Sequence, residues 1–278
     1  MIDTVARIRD QQRMWAAKHG INFDKNGYTL ILEDNLFIPL TLQTKAEFAA
    51  GKGKELGDDK EPGKMQALHS SAALVVNFFE YWRHTGKTHD LAKAMGIGKN
   101  ITAMRFEQTF PTGLGGTAPH LDVVLSSEGT MPIAIEAKFT ETYHHHLKRP
   151  LNGKYIEQPS ALADLPGCRK LVEEIFNERQ SRTSFEYLDA PQLLKHIIGL
   201  TTKYGRNKFK LIYLWYDISS VEADTHKDEL QEFMKLIADD AQFENYTYQT
   251  IFEKIWAHPD VDRDYLAYLI ERYFEDTK

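Results

Sequence analysis

Cysteine is almost missing from this chain: Cys168 is the only one in 278 residues. That excludes an intramolecular disulfide and any cysteine-built metal cluster. Long apolar runs are missing too. The longest candidate, "AALVV" before "NFF", falls far short of the ~18 residues a membrane span needs. The N-terminus "MIDTVARIRDQQRMWAAKHG" carries charge throughout and has no apolar h-region, so it does not read as a secretory signal. Internal repeats and low-complexity tracts are also absent. These absences lead to the expectation of a soluble, cytoplasmic protein with no membrane partner.

What the chain does have is apolar content, 42% hydrophobic, enough for residues 1–278 to bury a large core as one domain with additions. The net charge of -6 argues against a generally basic nucleic-acid binder, yet it hides an asymmetry. Residues 138–210 carry 13 Lys+Arg against 8 Asp+Glu, a net of +5, whereas residues 217–278 carry 6 against 16, a net of -10. A basic middle beside an acidic end is compatible with a local phosphate-binding surface. Solvated helix faces would produce the same split.

The first 20 residues read as a helix, with Val5, Ile8 and Trp15 among its apolar positions. Residues 28–42, "YTLILEDNLFIPLTL", predict a hairpin turning at "EDN". The Gly- and charge-rich "AAGKGKELGDDKEPGKM" predicts a loop or mobile segment. "SSAALVVNFFEYWRH" predicts a largely buried helix capped by Ser70 or Ser71. Past "TGKTHDLAKAMGIGKN", "ITAMRFEQTF" reads as a strand, "PTGLGGTA" leads into "HLDVVL", and "SSEGT" turns into "MPIAIEAKF". Residues 143–159 are polar and irregular. "ALADLPGCRKLVEEIFNERQ" is helical in its second half, and "APQLLKHIIGLTTKY" is a helix with Pro in its first turn. "KFKLIYLWYDI" is a strongly apolar strand. The acidic remainder reads as helices around 228–238 and 262–274 with "NYTYQTIF" between them. This order describes an α/β layer, a mixed sheet flanked by helices. Its core covers about 66–216, with an N-terminal extension over 1–65 and an acidic, helical C-terminal extension over 217–278.

Two of these strands carry charge where a core strand should not. Residues two apart in a strand share a face. Ile133, Ile135, Ala137 and Phe139 therefore line one face, while Glu136 and Lys138 line the other. The short "SSEGT" connection makes the neighbour "HLDVVL" antiparallel, which places Asp122 across from Glu136. Two converging half-buried carboxylates repel unless they share a cation. Their hard oxygens suit Mg2+, or Mn2+ in its place. Beside such an ion Lys138 is expected to lose proton affinity, and then to orient or deprotonate a water. Metal and lysine together stabilise the charge that builds on a phosphate under attack. That is the chemistry of phosphodiester hydrolysis.

The pattern "PHLD … IEAK" resembles the PD-(D/E)xK nuclease superfamily, the fold of many restriction endonucleases. That superfamily's core order of helix, three strands, helix, strand matches the reading from Gln66 to about Tyr216. "HSSAALVVNFF", "RFEQTFPTG" and "PQLLKHIIGL" are similar to segments of restriction-endonuclease-like bacterial proteins. The literal "PD" is absent, because His120 and Leu121 separate Pro119 from Asp122. The resemblance implies Asp122 and Glu136 as metal ligands, with Ala137 as a further metal-binding position, and Lys138 as the catalytic lysine. It also implies DNA as substrate and a homodimer for cutting both strands.

Other residues carry a functional and a plain reading side by side. Glu107, on the preceding strand, is a further catalytic acidic group, as a third metal ligand or water-shell anchor, or an exposed strand residue. Glu80 projects from the first core helix to the metal or ends that helix as a surface carboxylate. Gln192 and Lys195 lie one turn apart and share a helix face. The resemblance gives Gln192 a supporting role in the active site, and Lys195 is a candidate phosphate contact. Glu141 contributes around the site or lies on the surface. The three histidines 144–146 diverge in regular structure and lack a partner pair at metal spacing, so they read as a loop rather than a zinc site. "GLGG" at 113–116 lacks the ending of a P-loop and reads as a flexible approach to Asp122. Cys168 reads as a packed thiol. "KYGRNKFK", 203–210, is the densest basic segment, a phosphate contact or a solvated loop. The function expected is a magnesium-dependent endodeoxyribonuclease. The alternatives are a non-catalytic nucleic-acid-binding or scaffold protein of this fold, and a defence or repair component that requires a partner.

Overall fold

The computed structural model describes residues 3–51, 53–58, 60–97, 101–146, 153–157, 162, 164–176 and 185–274. The chain opens with helix α1 (Thr4–Lys18), whose first turn is capped by the Asp3 carboxylate accepting from Val5 N at 3.1 Å. Helix α2 (Leu42–Ala50) follows, then α3 (Ser71–His84) and α4 (Thr88–Met95). Ser70 supplies the α3 cap, its hydroxyl accepting from Ala73 N. Nearly every α3 side chain from Ala73 to Trp82 is buried, so this helix is core on all sides.

Strands β1 (Ala103–Thr109), β2 (His120–Ser126) and β3 (Ile133–Lys138) come next, then helices α5 (Lys154–Glu157), α6 (Pro166–Phe176) and α7 (Ala190–Tyr204). The end of the expected α6 stretch, residues 177–180, lies outside the described residues. Strand β4 (Lys210–Trp215), helix α8 (Val221–Ile237), strand β5 (Gln242–Thr247) and helices α9 (Tyr248–Trp256) and α10 (Arg263–Leu269) complete the order, α10 passing into a wider turn over Ile270–Phe274. The strands form one mixed sheet in the order β1-β2-β3-β4-β5. The first three are antiparallel, and β4 and β5 run parallel to β3. The protein is therefore an α/β structure with a five-stranded mixed sheet flanked by helices.

Helix α7 positions the site. Asp189 caps it by accepting from Gln192 N at 2.9 Å, Pro191 sits in its first turn, and it stops at Gly205 with φ +94°. Gly199 lets it close on the end of β1, since a Cβ there would meet Phe110 O at 2.3 Å. One cluster of buried apolar side chains extends from Val5 on α1 through the sheet to Phe274.

Several segments differ from the sequence expectation, among them Lys154–Glu157, which forms α5 within the stretch read as irregular. Residues 28–42 do not form a hairpin. Only isolated bridges Phe23↔Thr29 and Tyr28↔Ala67 appear, followed by a tight turn over Leu32–Asn35. The reason is Asn35, whose buried amide donates to Met65 O and Ala67 O and pulls the chain inward. The stretch before "GKN" holds α4, ended by Gly96 at φ +71°. The acidic C-terminus is not purely helical: β5 pairs along the whole of β4. An edge strand needs no continuous apolar run, and β5 is half-buried throughout most of its length. Among the described residues no helix is long and apolar enough to cross a membrane.

Candidate active site

The β2–β3 register pairs Val123 with Ile135 and Val124 with Ala134, and its continuation sets Asp122 against Glu136. The Asp122 carboxylate turns onto β3 and accepts from Ala137 N at 2.7 Å. Lys138 lies two residues past Glu136 on the same face, and its Nζ donates to Glu136 Oε1 at 2.6 Å. The same ammonium donates to Gln192 Oε1 at 2.9 Å. Strand alternation and one helix therefore bring Asp122, Glu136, Lys138 and Gln192 together, as the sequence predicts.

Helix α7 adds a residue that the sequence pattern does not single out. His196 is fully buried, and its Nε2 stands 3.1 Å from Glu136 Oε2. It lies four residues after Gln192 and so shares its face as well as Lys195 does. Only the seating of α7 on the sheet decides between them. Lys195 is half-buried and makes no hydrogen bond or ion pair with a described residue.

Electrostatics sort these groups. Burial raises the Asp122 carboxyl well above the ordinary range, and the Glu136 charge adds to that rise. Glu136 goes the other way: burial acts upward, but Lys138 and His196 outweigh it and hold this carboxyl below its usual value. Lys138 is the third of these groups. Burial opposes its charge, yet Glu136, Glu141 and Asp122 together raise the ammonium above its ordinary value, so without a metal it is firmly protonated.

Glu107 also reaches the site. It sits between Phe106, paired with Val123, and Gln108, paired with Leu121. Its own φ of +52° departs from strand geometry, a conformation that costs a non-glycine residue about 1–2 kcal/mol. Burial, then the charges of Glu55 and Glu136, push its carboxyl up to about 7. Glu55 is the second residue that the sequence pattern does not mark. It lies in the segment expected to be a loop, where Gly63 permits a close chain crossing because a Cβ there would meet Glu55 O at 2.3 Å. No strand or helix periodicity picks out such a residue.

The remaining candidates fall outside this group. Glu80 neither reaches the site nor lies on the surface: it is fully buried and paired with Arg83, its Oε2 accepting from Nε at 2.9 Å. Arg83 in turn binds Glu47, which accepts from Phe106 N. Glu141 caps the chain just past β3, accepting from Phe139 N at 2.8 Å. The histidines diverge: His144 is exposed, the His145 ring packs on Tyr187, and His146 donates its N–H to Glu186 O. Gly113, Gly115 and Gly116 all have positive φ in the approach to β2. Cys168 is buried, with its thiol pushed up by burial. The basic segment 203–210 is displaced from the chemistry. Lys210 pairs with Ile133 and Trp215 with Lys138, so the segment sits at the opposite end of β4, roughly 17 Å away at ~3.3 Å per residue. Arg206 there is held by Asp239 O, and Lys210 by Glu244.

Residues 7–274 match a family described as Restriction Endonuclease associating with ARP. The chain belongs to that family. No curated protein and no solved structure matches it. Membership points to a nuclease-like function with DNA as substrate or partner. The donor set fits a hard cation: two carboxylates from adjacent strands raise each other's energy, and Glu136 Oε2 is buried without a hydrogen bond. Among the described residues no three His, Cys, Asp or Glu side chains gather into a complete metal site. A metal here would take two carboxylates and leave its other positions to backbone and water, as Mg2+ does.

Proposed function

We propose that this chain is a metal-dependent endodeoxyribonuclease of PD-(D/E)xK type, hydrolysing DNA phosphodiester bonds with Mg2+, or Mn2+ in its place. The observation that carries this reading is the convergence of Asp122, Glu136 and Lys138 on one face of two adjacent strands, with Lys138 tied to Glu136 at 2.6 Å. Asp122, Glu136 and the Ala137 backbone would hold the cation. When bound, it would act as a Lewis acid on the phosphate and lower the pKa of a water.

The chain's own groups do the rest. Lys138 is the catalytic lysine, and Gln192 fixes the direction of its ammonium. From that position the lysine orients a water and offsets the charge that builds on the phosphate oxygens. As the water oxygen bonds to phosphorus it gives up a proton, one ester P–O bond breaks and the departing oxygen takes up a proton, so that one water is added across the bond. His196 Nε2 stands 3.1 Å from the far oxygen of Glu136 and favours the ionised carboxylate. Glu107 and Glu141 shape the field around this centre, Glu141 acting on Lys138 and Glu107 on Asp122.

One observation favours a second reading. The Lys138–Glu136 ion pair at 2.6 Å is also what a scaffold of this fold, binding nucleic acid without cutting it, would keep as a structural contact. Plasmid DNA incubated with the purified protein in Mg2+ separates the two. Nicking that stops on addition of a chelator supports the enzyme, and intact plasmid under varied substrates supports the scaffold.

A further inference from the structure

A centre made of carboxylates repels the polyanion it is proposed to cut, and the whole chain carries a net charge of -6. Cations must therefore stand at the rim of this centre. The densest basic segment, 203–210, lies at the wrong end of the sheet. At the end where Lys138 sits, the chain leaves β4 through Tyr216, whose N–H donates to Lys138 O at 3.0 Å. It continues through Ile218, whose N–H donates to Tyr143 Oη at 2.7 Å. The next residue, Ser219, accepts from Arg7 Nη1 at 3.4 Å. Helix α1 starts there. Further along it, Arg13 donates to Lys25 O at 3.1 Å and lies against Gly27. Gly27 O accepts from Leu68 N, and Leu68 precedes His69. Helix α1 thus runs from the loop that leaves β4 next to Lys138 to the turn before α3.

Its composition suits that place. Along α1 stand four basic residues, Arg7, Arg9, Arg13 and Lys18, against one acid, Asp10. Thr4, Val5, Ile8, Gln12, Trp15 and Ala16 form its buried face. Arg9 is exposed and makes no hydrogen bond or ion pair with a described residue. Arg13, four residues on, shares its side of the helix. Burial, then the charges of Arg9 and Arg13, hold the His69 imidazole down at about 4, with smaller influences from Glu141 and His144.

Resting on the nuclease reading above, we propose that α1 is the DNA-docking element of this protein, with Arg9 and Arg13 contacting the phosphate backbone of duplex DNA at the rim of the Asp122–Glu136–Lys138 centre. The N-terminal extension then supplies the substrate surface that the basic middle segment does not.

The test is binding of a mixed-sequence duplex oligonucleotide by fluorescence anisotropy in Ca2+ across a salt series, with plasmid cleavage in Mg2+ measured in parallel. Each lost phosphate contact reduces the slope of log K against log salt by about 0.9, so Arg9→Ala/Arg13→Ala lowers it by about 1.8. Arg9→Glu, which breaks no internal contact, lowers both affinity and slope. Lys203→Ala/Lys208→Ala, at two exposed positions, leaves both unchanged. Wild-type slopes in both α1 variants overturn the proposal, and when the wild type still cleaves they leave the nuclease reading standing. A slope loss confined to Lys203→Ala/Lys208→Ala overturns it as well. Loss of binding in the α1 variants of a protein that never cleaves upholds the docking surface and removes the nuclease reading instead.

Discussion

Asp122 and Glu136 are chemically alike and lie opposite each other, yet they differ in charge preference because only Glu136 has Lys138 and His196 against it. Asp122→Asn keeps the shape and removes one ligand charge, so Mg2+ affinity by calorimetry and cleavage rate are expected to fall together. Unchanged Mg2+ affinity would remove Asp122 from the ligand set. Glu107 gives a pH dependence. Its carboxyl is raised from 4.5 to about 7, so the stability it contributes is present below about 4.5 and is lost as pH rises through about 7. The Asp122 shift has the same sign. Because metal binds the deprotonated carboxylates, Mg2+ is expected to raise Tm more at about pH 8 than at about pH 6. Equal Mg2+ shifts at both pH values would contradict the raised carboxyls.

At the scale of elements, strand alternation and the "SSEGT" turn are enough by themselves to place Asp122, Glu136 and Lys138 on one face. Helix periodicity narrows α7 to a face, but not to a residue. Gln192 with Lys195 and Gln192 with His196 fit it equally, and tertiary seating chose His196. Glu55 comes from a glycine-rich crossing that has no period to read. Glu80 looks like a helix-end carboxylate, and only the folded contact with Arg83 shows why it is buried. Edge strand β5 hides in polar sequence because nothing requires it to be apolar. The seating of α7 is testable. Gln192→Leu removes one bond to a charged group, about 1.5–3 kcal/mol, and should slow cleavage by at least roughly tenfold with the fold intact. Gly199→Val forces a side chain against Phe110 O and should cost about 1–3 kcal/mol by urea denaturation, with cleavage falling as α7 is displaced. A Gly199→Val protein of wild-type stability would mean that α7 does not pack as described.

Across the whole molecule, the two extensions around residues 66–216 share the core rather than decorate it. Arg272 is fully buried, and its guanidinium donates to Gln12, Asn35, Leu68 O and Tyr268. One residue near the C-terminus thereby ties down α1, the turn over Leu32–Asn35 and the approach to α3. The fragment 66–216 also lacks β5 and exposes the edge of β4. It is expected to show no cooperative urea transition and weak near-UV dichroism, whereas a sharp transition would mean that the extensions are dispensable. The central claim concerns the whole arrangement, and single-turnover cleavage of duplex DNA by Lys138→Ala in Mg2+ tests it most directly, with metal and DNA binding measured on the same sample. Losing this group should slow cleavage by roughly 10²–10³, while Mg2+ and DNA still bind because Lys138 is not a ligand. Cleavage by Lys138→Ala at the wild-type rate would contradict the account.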